Sequence, residues 1–478
     1  MADLPNVLFL MDDEHRPDVL GYAGDDVVHT PTLDWLADTG VVFENAYTPA
    51  PRCVPARQCM MAGQLPNTCG CRVYGEDLPP ESMTWARRLA QYGYSTVAAG
   101  KLHHPGPDPT QGWTTHIGVG GGSHVERVDE APDIDGSDRP GRAKWSDAKE
   151  VRRAGPGRAD VGWKSRRDEY RVQGACDYID ERFLSPFYDR EEPNAPLALK
   201  VSLAQPHYPY LTFEEKFKYY LNRVDPYDDE DDVAFDDHSF LGSRRLVVGK
   251  DGFGMDREGD VSPREVRRAT AAYYGMIETV DEYFEQVLDA LRSAGEDLDE
   301  WIIVFTSDHG EMLGQHGVWE KGHFFEASAG VPLVIRWPER FTPHTVDENV
   351  NLCDLYATIC DLTGVPLPEN HELDSRSLVP LLAGESERWR HAHGNETVTA
   401  YGDDVMIKHD ELKYMGIADD RDVLFDLNDD PGETENRIDD PAYAGDVERF
   451  RTRRDELGYG PDPNPYDGAG YDPSLSTQ

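Results

Sequence analysis

NVLFLMDDE, residues 6–14, decides how this chain reads: an apolar run that stops abruptly at three carboxylates. Such a run, without polar alternation, is the pattern of a strand buried on both faces, as in a parallel sheet covered by helices. Its carboxyl end then delivers Asp12, Asp13 and Glu14 beyond the sheet. The same grammar recurs further along. STVAA (95–99) runs into Gly100-Lys101-Leu102-His103, LALKVSL (197–203) into Ala204-Gln205-Pro206-His207, and WIIVFT (301–306) into Ser307-Asp308-His309-Gly310. In open α/β sheets ligands sit outside the carboxyl ends of the strands, so these four segments are expected to converge on one site.

Helical signals alternate with these strands. TPTLDWLADTG (30–40) opens with Thr-Pro and stops at Gly40. Before the fourth strand, Ser262 as N-cap, Pro263 and Glu265 form a capping-box signature, and apolar residues recur at helical spacing from 266 to 291 before Gly295. The expected fold class is α/β: a large, doubly wound, mixed and mostly parallel sheet flanked by helices over residues 1–375. From about 376 to 458 the pattern changes to short segments, TVTAYG, VMIKH, LKYMGI and VLFDL, which read as a smaller C-terminal antiparallel α+β subdomain. Residues 125–170 and 225–262 read as surface insertions, and 459–478 as a flexible tail without core residues. The Gly118–Gly122 cluster neither follows a convincing strand nor opens a helix, and reads as a loop rather than a nucleotide cradle.

The 478 residues carry 91 Asp+Glu against 47 Lys+Arg, a formal charge of −44, and 38% of them are hydrophobic. That composition builds a core, yet it opposes nucleic-acid and anionic-membrane partners, because binding phosphate needs a basic patch strong enough to overcome the field of the whole molecule. Only 11 of the cations are Lys, which with the acidic excess suggests a protein kept soluble at high salt. No stretch of eighteen apolar residues occurs, and MADLPNVLFLMDDEH lacks a basic n-region, so a cytoplasmic chain with no membrane partner is expected. Seven cysteines, an odd number in a long chain, do not read as a disulfide framework.

The densest chemical signal is PRCVPARQCMMAG, residues 51–63. Pro55 suits the first turn of a helix and Gly63 its end, which places Cys53 at the N-terminus, where backbone N–H groups favour an anion. Arg57 lies one turn along. Two readings stay open at this level: a low-pKa thiolate nucleophile, or a buried cysteine near a turn. Cys69 and Cys71 read as structural thiols, Cys59 as packed on the helix, and Cys353 and Cys360 as core.

C-x-P-x-R at 53–57 resembles the signature of the type I, formylglycine-dependent sulfatases of the alkaline-phosphatase-like superfamily. Asp12-Asp13, Gly100-Lys101-x-His103, Gln205-Pro206-His207-Tyr208-Pro209, Ser307-Asp308-His309-Gly310-Glu311, Trp319-Glu320-Lys321 and Leu424-Phe425-Asp426-Leu427 occur in that family's order, so the resemblance spans roughly residues 5 to 440. It implies hydrolysis of sulfate esters by an aldehyde hydrate made from Cys53. Asp12, Asp13 and Asp308 offer hard oxygen ligands for one divalent metal ion, and the resemblance adds His309 and the modified side chain 53. Ca2+ is the ion this implies, with Mg2+ or Mn2+ as alternatives given the imidazole. By the same resemblance Arg57 and Lys101 steady the hydrate, His103 is the base that expels sulfate, and His207 and Lys321 contact sulfate and assist the departing alcohol. The implied partners are a small-molecule or carbohydrate sulfate ester and a formylglycine-generating enzyme acting on the C-x-P-x-R segment. Two competitors are a phosphonate monoester or phosphodiester hydrolase of the same superfamily, and a non-catalytic binding protein of the same fold.

Overall fold

The computed structural model describes residues 4–104, 106–118, 148–157, 163–188, 194–227, 261–418 and 420–460. Most of both expected insertions, residues 125–147, 158–162 and 228–260, lies outside them, as do residues 119–122 and 461–478.

The principal sheet contains β1 (Val7–Asp13), β2 (Val41–Phe43), β3 (Ser95–Gly100), β4 (Thr115–Ile117), β5 (Leu197–Pro206), β6 (Ile302–Ser307), β7 (Leu333–Arg336) and β8 (His344–Val346). Their spatial order is β8-β2-β7-β6-β1-β5-β3-β4. The four strands anticipated from sequence are neighbours, β6-β1-β5-β3, and all run parallel. β7 pairs antiparallel to both β6 and β2, so the sheet is mixed and mostly parallel.

Strand side chains alternate between faces, and both faces of β1 are covered. Val7, Phe9 and Met11 join a core with Met60, Met61, Trp85, Leu355 and Ile359. Leu8 and Leu10 join the opposite core with Val172, Ile179, Val280 and Phe284. The first face carries α2 (Cys53–Ala62) and α5 (Asp354–Thr363). The second carries α1 (Pro31–Thr39), α3 (Trp163–Phe183) and α4 (Pro263–Ser293). This double coverage is why β1 reads as an unbroken apolar run.

Local chemistry sets the helix ends. The capping box of α4 forms in full, Ser262 Oγ accepting from the Glu265 N–H while Glu265 Oε2 accepts from the Ser262 N–H. α1 is capped in trans: Asp281 Oδ1, from α4, accepts the Thr32 N–H at 3.0 Å and the Leu33 N–H at 2.8 Å. Gly63 closes α2 in the left-handed conformation, φ 66°.

Beyond α5 an antiparallel sheet follows: β9 (Glu396–Tyr401), β10 (Asp404–His409), β11 (Leu412–Gly416) and β12 (Val423–Asp426), paired in sequence order. Its alternation is that of a two-faced sheet. Tyr401, Met406, Met415 and Phe425 pack on Phe324 and Phe325 of the large sheet's carboxyl-end loops. Ala400, Val405, Ile407 and Leu424 pack on Val447 and Phe450 of α6 (Ala444–Glu456). Tyr459, read from sequence as the head of a coreless tail, is buried against this second face, its ring supplying apolar area that the surrounding polar residues conceal. Among the described residues no helix is long and apolar enough to cross a membrane.

Candidate active site

The carboxyl ends of β1, β3, β5 and β6 meet the N-terminus of α2, as the strand grammar requires. Cys53 is the first residue of α2 and is 3% exposed. Its Sγ lies 3.1 Å from His309 Nε2 and 3.8 Å from Asp13 Oδ1. Arg57, one turn along, is fully buried and ties the strand ends together. Its Nε donates to Asp308 Oδ2 at 2.7 Å, its Nη2 to Asp13 Oδ2 at 2.9 Å, and its Nη1 to the Lys101 carbonyl and Ser202 Oγ, each at 2.9 Å. A guanidinium in this place satisfies two buried carboxylates through a fixed fork, which an ammonium does not.

Ligand atoms of Asp13, Cys53, Asp308 and His309 all lie within 4.8 Å of one another. Two hard carboxylates, one imidazole and one anionic side chain at position 53 make a donor set that fits a divalent cation. The His309 ring is already oriented as a ligand. Its Nδ1 lies 3.0 Å from the Gly310 carbonyl, to which it donates, and this turns Nε2 toward the cluster.

Asp12 is not in that group, contrary to the sequence expectation. Its Oδ2 lies 2.5 Å from His15 Nδ1, and its Oδ1 has no hydrogen-bond partner among the described residues. The reason is the pleat. Asp12 follows the parity of Leu8 and Leu10 and projects to the α4 side, whereas Asp13 follows Phe9 and Met11 toward α2. The Asp12 main chain also meets the site, its carbonyl accepting from Arg57 Nη2 at 3.2 Å.

The residue that sequence reading missed is Glu14. Held at φ 71°, it turns its buried carboxylate back to the site. Its Oε2 lies 2.5 Å from Lys321 Nζ and 3.3 Å from His207 Nδ1, and Asp13, Glu14 and His207 form a second group of convergent ligand atoms. The signal available in the sequence was the unbroken run of three acids at a strand end; what hid Glu14 is that a left-handed turn is not announced by a glutamate.

Cations surround the thiol. Lys101 Nζ is hydrogen-bonded to Asp13 Oδ2. It reaches the site because Gly100 adopts φ 105° against β5, where a Cβ would stand 2.0 Å from the Ser202 carbonyl oxygen. Lys321 Nζ lies 2.6 Å from His207 Nε2. His103, at φ 61°, adds to the lowering of the Cys53 thiol and has Nε2 3.3 Å from the Tyr74 hydroxyl. Thus Cys53, Arg57, Lys101, His103, His207, Asp13, Asp308, His309 and Lys321 come together. His323 is buried and packs against the Phe325 ring.

The electrostatics follow from this crowding. Burial alone would raise the Cys53 thiol, yet Lys101, Lys321 and His309 hold it well below the ordinary thiol range. Asp13 is likewise lowered despite burial, by Lys101, His207 and Arg57. Burial pushes Asp308 up to about 6, Arg57 opposing and Asp13 adding to the rise. His309 resists burial and is raised to about 9 by Asp308 and Cys53. A site with this pattern is built to hold an anion at position 53 among cations.

Comparison with known proteins agrees with this geometry. The Sulfatase family model matches residues 5–365, and the model of the N-sulphoglucosamine sulphohydrolase C-terminal region matches residues 314–457. The chain is 31% identical to the choline-sulfatase of Rhizobium meliloti (strain 1021), covering 94% of this chain and 86% of that protein. It is 28% identical to an arylsulfatase of Clostridium perfringens (strain 13 / Type A), covering 94% and 93% respectively. Among solved structures, the phosphonate monoester hydrolase of Agrobacterium radiobacter shares the fold, with TM-score 0.70, 24% identity and 95% of each chain covered. With a family model spanning the strand ends, α2 and the sites they build, this chain belongs to the sulfatase family and is a sulfuric ester hydrolase.

Proposed function

We propose that the protein cleaves sulfate esters to an alcohol and inorganic sulfate, using an aldehyde hydrate made from Cys53. The observation that carries this reading is the position of the Cys53 side chain: at a helix N-terminus, against Asp13 and His309, with the cationic side chains of Arg57, Lys101 and Lys321 around it. The thiol sulfur stands where a hydroxyl of the hydrate would stand. Asp13, Asp308, His309 and residue 53 would hold one divalent ion, with Ca2+ as the proposed occupant and Mg2+ or Mn2+ as the alternatives to compare by reconstitution. Such an ion supplies charge neutralisation and polarisation of a sulfate oxygen.

The chain's own groups divide the remaining work. Arg57 fixes Asp13 and Asp308 and so the seat of residue 53. Lys101 and Lys321 face the sulfate oxygens and stabilise charge developing there. The His207 Nε2–Lys321 Nζ pair holds a shared proton that the departing alcohol would take. Glu14 holds both of these groups in place and, through its contact with Nζ, favours the charged form of Lys321. His103, whose interaction with side chain 53 lowers that group, would take the proton whose removal expels sulfate and restores the aldehyde.

Every residue from Cys53 to Ala62 is buried. A formylglycine-generating enzyme would therefore act on the Cys53–Arg57 segment before the chain folds. Seven free thiols suit a reducing compartment such as the cytoplasm.

The reading is tested by a parallel assay of choline sulfate, an aryl sulfate, a sulfated sugar, an aryl phosphonate monoester and a phosphodiester. It requires sulfate esters to dominate kcat/KM. Dominant turnover of the phosphorus substrates would replace it with the phosphonate or phosphodiester hydrolase reading, which the shared fold of the Agrobacterium enzyme keeps in view. No turnover of any of them by converted protein would leave a binding protein.

A further inference from the structure

Four thiols gather at the far end of the nucleophile helix, away from the reacting groups. Cys59, on the last turns of α2, and Cys69, at the end of the short helix Pro66–Cys69, face each other with Sγ···Sγ 3.4 Å. The reversal between them is made by Gly63, Gln64 and Leu65. Cys69 Sγ also accepts the Cys71 backbone N–H at 3.4 Å and lies 3.8 Å from the Pro66 carbonyl. Cys353 turns its own thiol to the Gln64 carbonyl, 3.1 Å away.

These thiols differ in accessibility and in acidity. Cys59 and Cys71 are fully buried, while Cys69 is partly exposed and followed by exposed Gly70. Hydrogen bonds from the Cys59 and Cys71 side chains lower the Cys69 thiol to about 4, and burial raises Cys59 well above the ordinary range. Cys69 is thus the more accessible and the more acidic of the pair, and its contact partner Cys59 is buried. That is the division between an attacking and a resolving cysteine. A soft-metal site fits less well. Among the described residues the convergent ligand groups are the two at the active site, and Cys59, Cys69 and Cys71 belong to neither.

We infer that Cys69 is a site of oxidation by hydrogen peroxide and that Cys59 resolves it, forming a Cys59–Cys69 disulfide that ties α2 to the segment after it. In the first step the Cys69 thiolate attacks a peroxide oxygen. The O–O bond breaks, hydroxide leaves and is protonated to water, and Cys69 becomes a sulfenic acid. In the second, Cys59 gives up its proton and its sulfur attacks the Cys69 sulfur, so the S–O bond breaks and a second water departs. Two electrons pass from the two thiols to one peroxide, and each thiol proton ends in water. Closing the sulfurs from 3.4 Å to a bond of about 2.0 Å needs side-chain rotation and a small shift of the Pro66–Cys69 turn, not a rearrangement of α2.

Trypsin cuts after Arg57 and Arg72, so the peptide Gln58–Arg72 carries Cys59, Cys69 and Cys71 together. The full-length protein is treated with one equivalent of hydrogen peroxide, denatured in iodoacetamide, reduced, labelled with N-ethylmaleimide and sequenced by tandem mass spectrometry. The expected result is maleimide on Cys59 and Cys69 and carbamidomethyl on Cys71. Maleimide on Cys71, or carbamidomethyl on all three, overturns the inference. So does Cys69 trapped as sulfinic acid beside an alkylated Cys59. C71S should still form the disulfide. C59S should lose it and instead yield a Cys69 sulfenic acid captured by dimedone. A C59S protein in which Cys69 resists dimedone as strongly as buried Cys360 also contradicts it.

Discussion

Lys200 sits in the middle of β5, 1% exposed, with Nζ lacking a hydrogen-bond partner among the described residues and 5.2 Å from the Phe9 ring centroid. Burial, reinforced by the Arg57 charge, holds its pKa well below the ordinary lysine range. The unfolded chain therefore binds the proton at pH values where the folded chain has released it, and across that window this group's contribution to stability rises with pH. Lys200→Met should stabilise the protein by about 1–3 kcal/mol at neutral pH. The gain should shrink as pH approaches 10, and denaturant melts at both pH values read it; a gain independent of pH would contradict the argument. Lys321 makes the opposite case, a buried lysine with partners. Lys321→Ala should cost roughly 10²–10⁴ in kcat on an alkyl sulfate, whose alcohol must be protonated as it leaves. A nitrophenyl sulfate, with a leaving group that needs no proton, should lose far less. Equal losses on both would remove Lys321 from proton donation. At this scale the sequence was legible where a strand end or a helix start sets a residue's position, as at Cys53, Arg57 and His309, which the fold brings together. It was ambiguous where direction decides, because a continuous apolar strand does not reveal which of Asp12 and Asp13 faces α2.

At the scale of elements, the four strand ends and the capped α4 were readable because each carries a local signal: an apolar run closed by polar residues, or a complete capping box. The four short C-terminal strands were readable from alternation, since each face of that sheet packs on a different layer. The joint between the two sheets was not readable, being made by charges far apart in sequence. Lys413 on β11 is fully buried, with Nζ 2.6 Å from Glu326 Oε1 and 2.7 Å from Glu433 Oε1. Glu433 Oε2 in turn accepts the Glu326 N–H at 2.7 Å. Lys413→Ala leaves two carboxylates facing each other without their cation and should cost about 3–5 kcal/mol. Calorimetry should show a lower melting temperature, with activity lost below the wild-type midpoint, because Glu326 follows directly on the loop that carries Lys321. An unchanged midpoint would mean that the apolar contacts of Phe324 and Phe325 alone hold the sheets together. The Cys59–Cys69 contact escaped sequence reading for the same reason: it depends on the path of the chain after Gly63.

For the molecule as a whole, a formal charge of −44 sets solution behaviour more than any single pair. Carboxylates crowded on one surface repel over about 10 Å in dilute salt and over about 3 Å at 1 M. The melting temperature should therefore climb as KCl is raised from dilute buffer toward molar concentration, and a protein most stable without salt would contradict the reading. The active site carries its own balance of carboxylates and cations, and the catalytic proposal rests on that balance. That proposal is tested most directly by mass spectrometry of the peptide containing Cys53 in preparations of different specific activity. The account predicts that the fraction of residue 53 in which sulfur has been exchanged for an aldehyde oxygen rises in proportion to sulfatase turnover, and that an unconverted preparation is inactive. Full activity in protein whose residue 53 is entirely an intact thiol would contradict it.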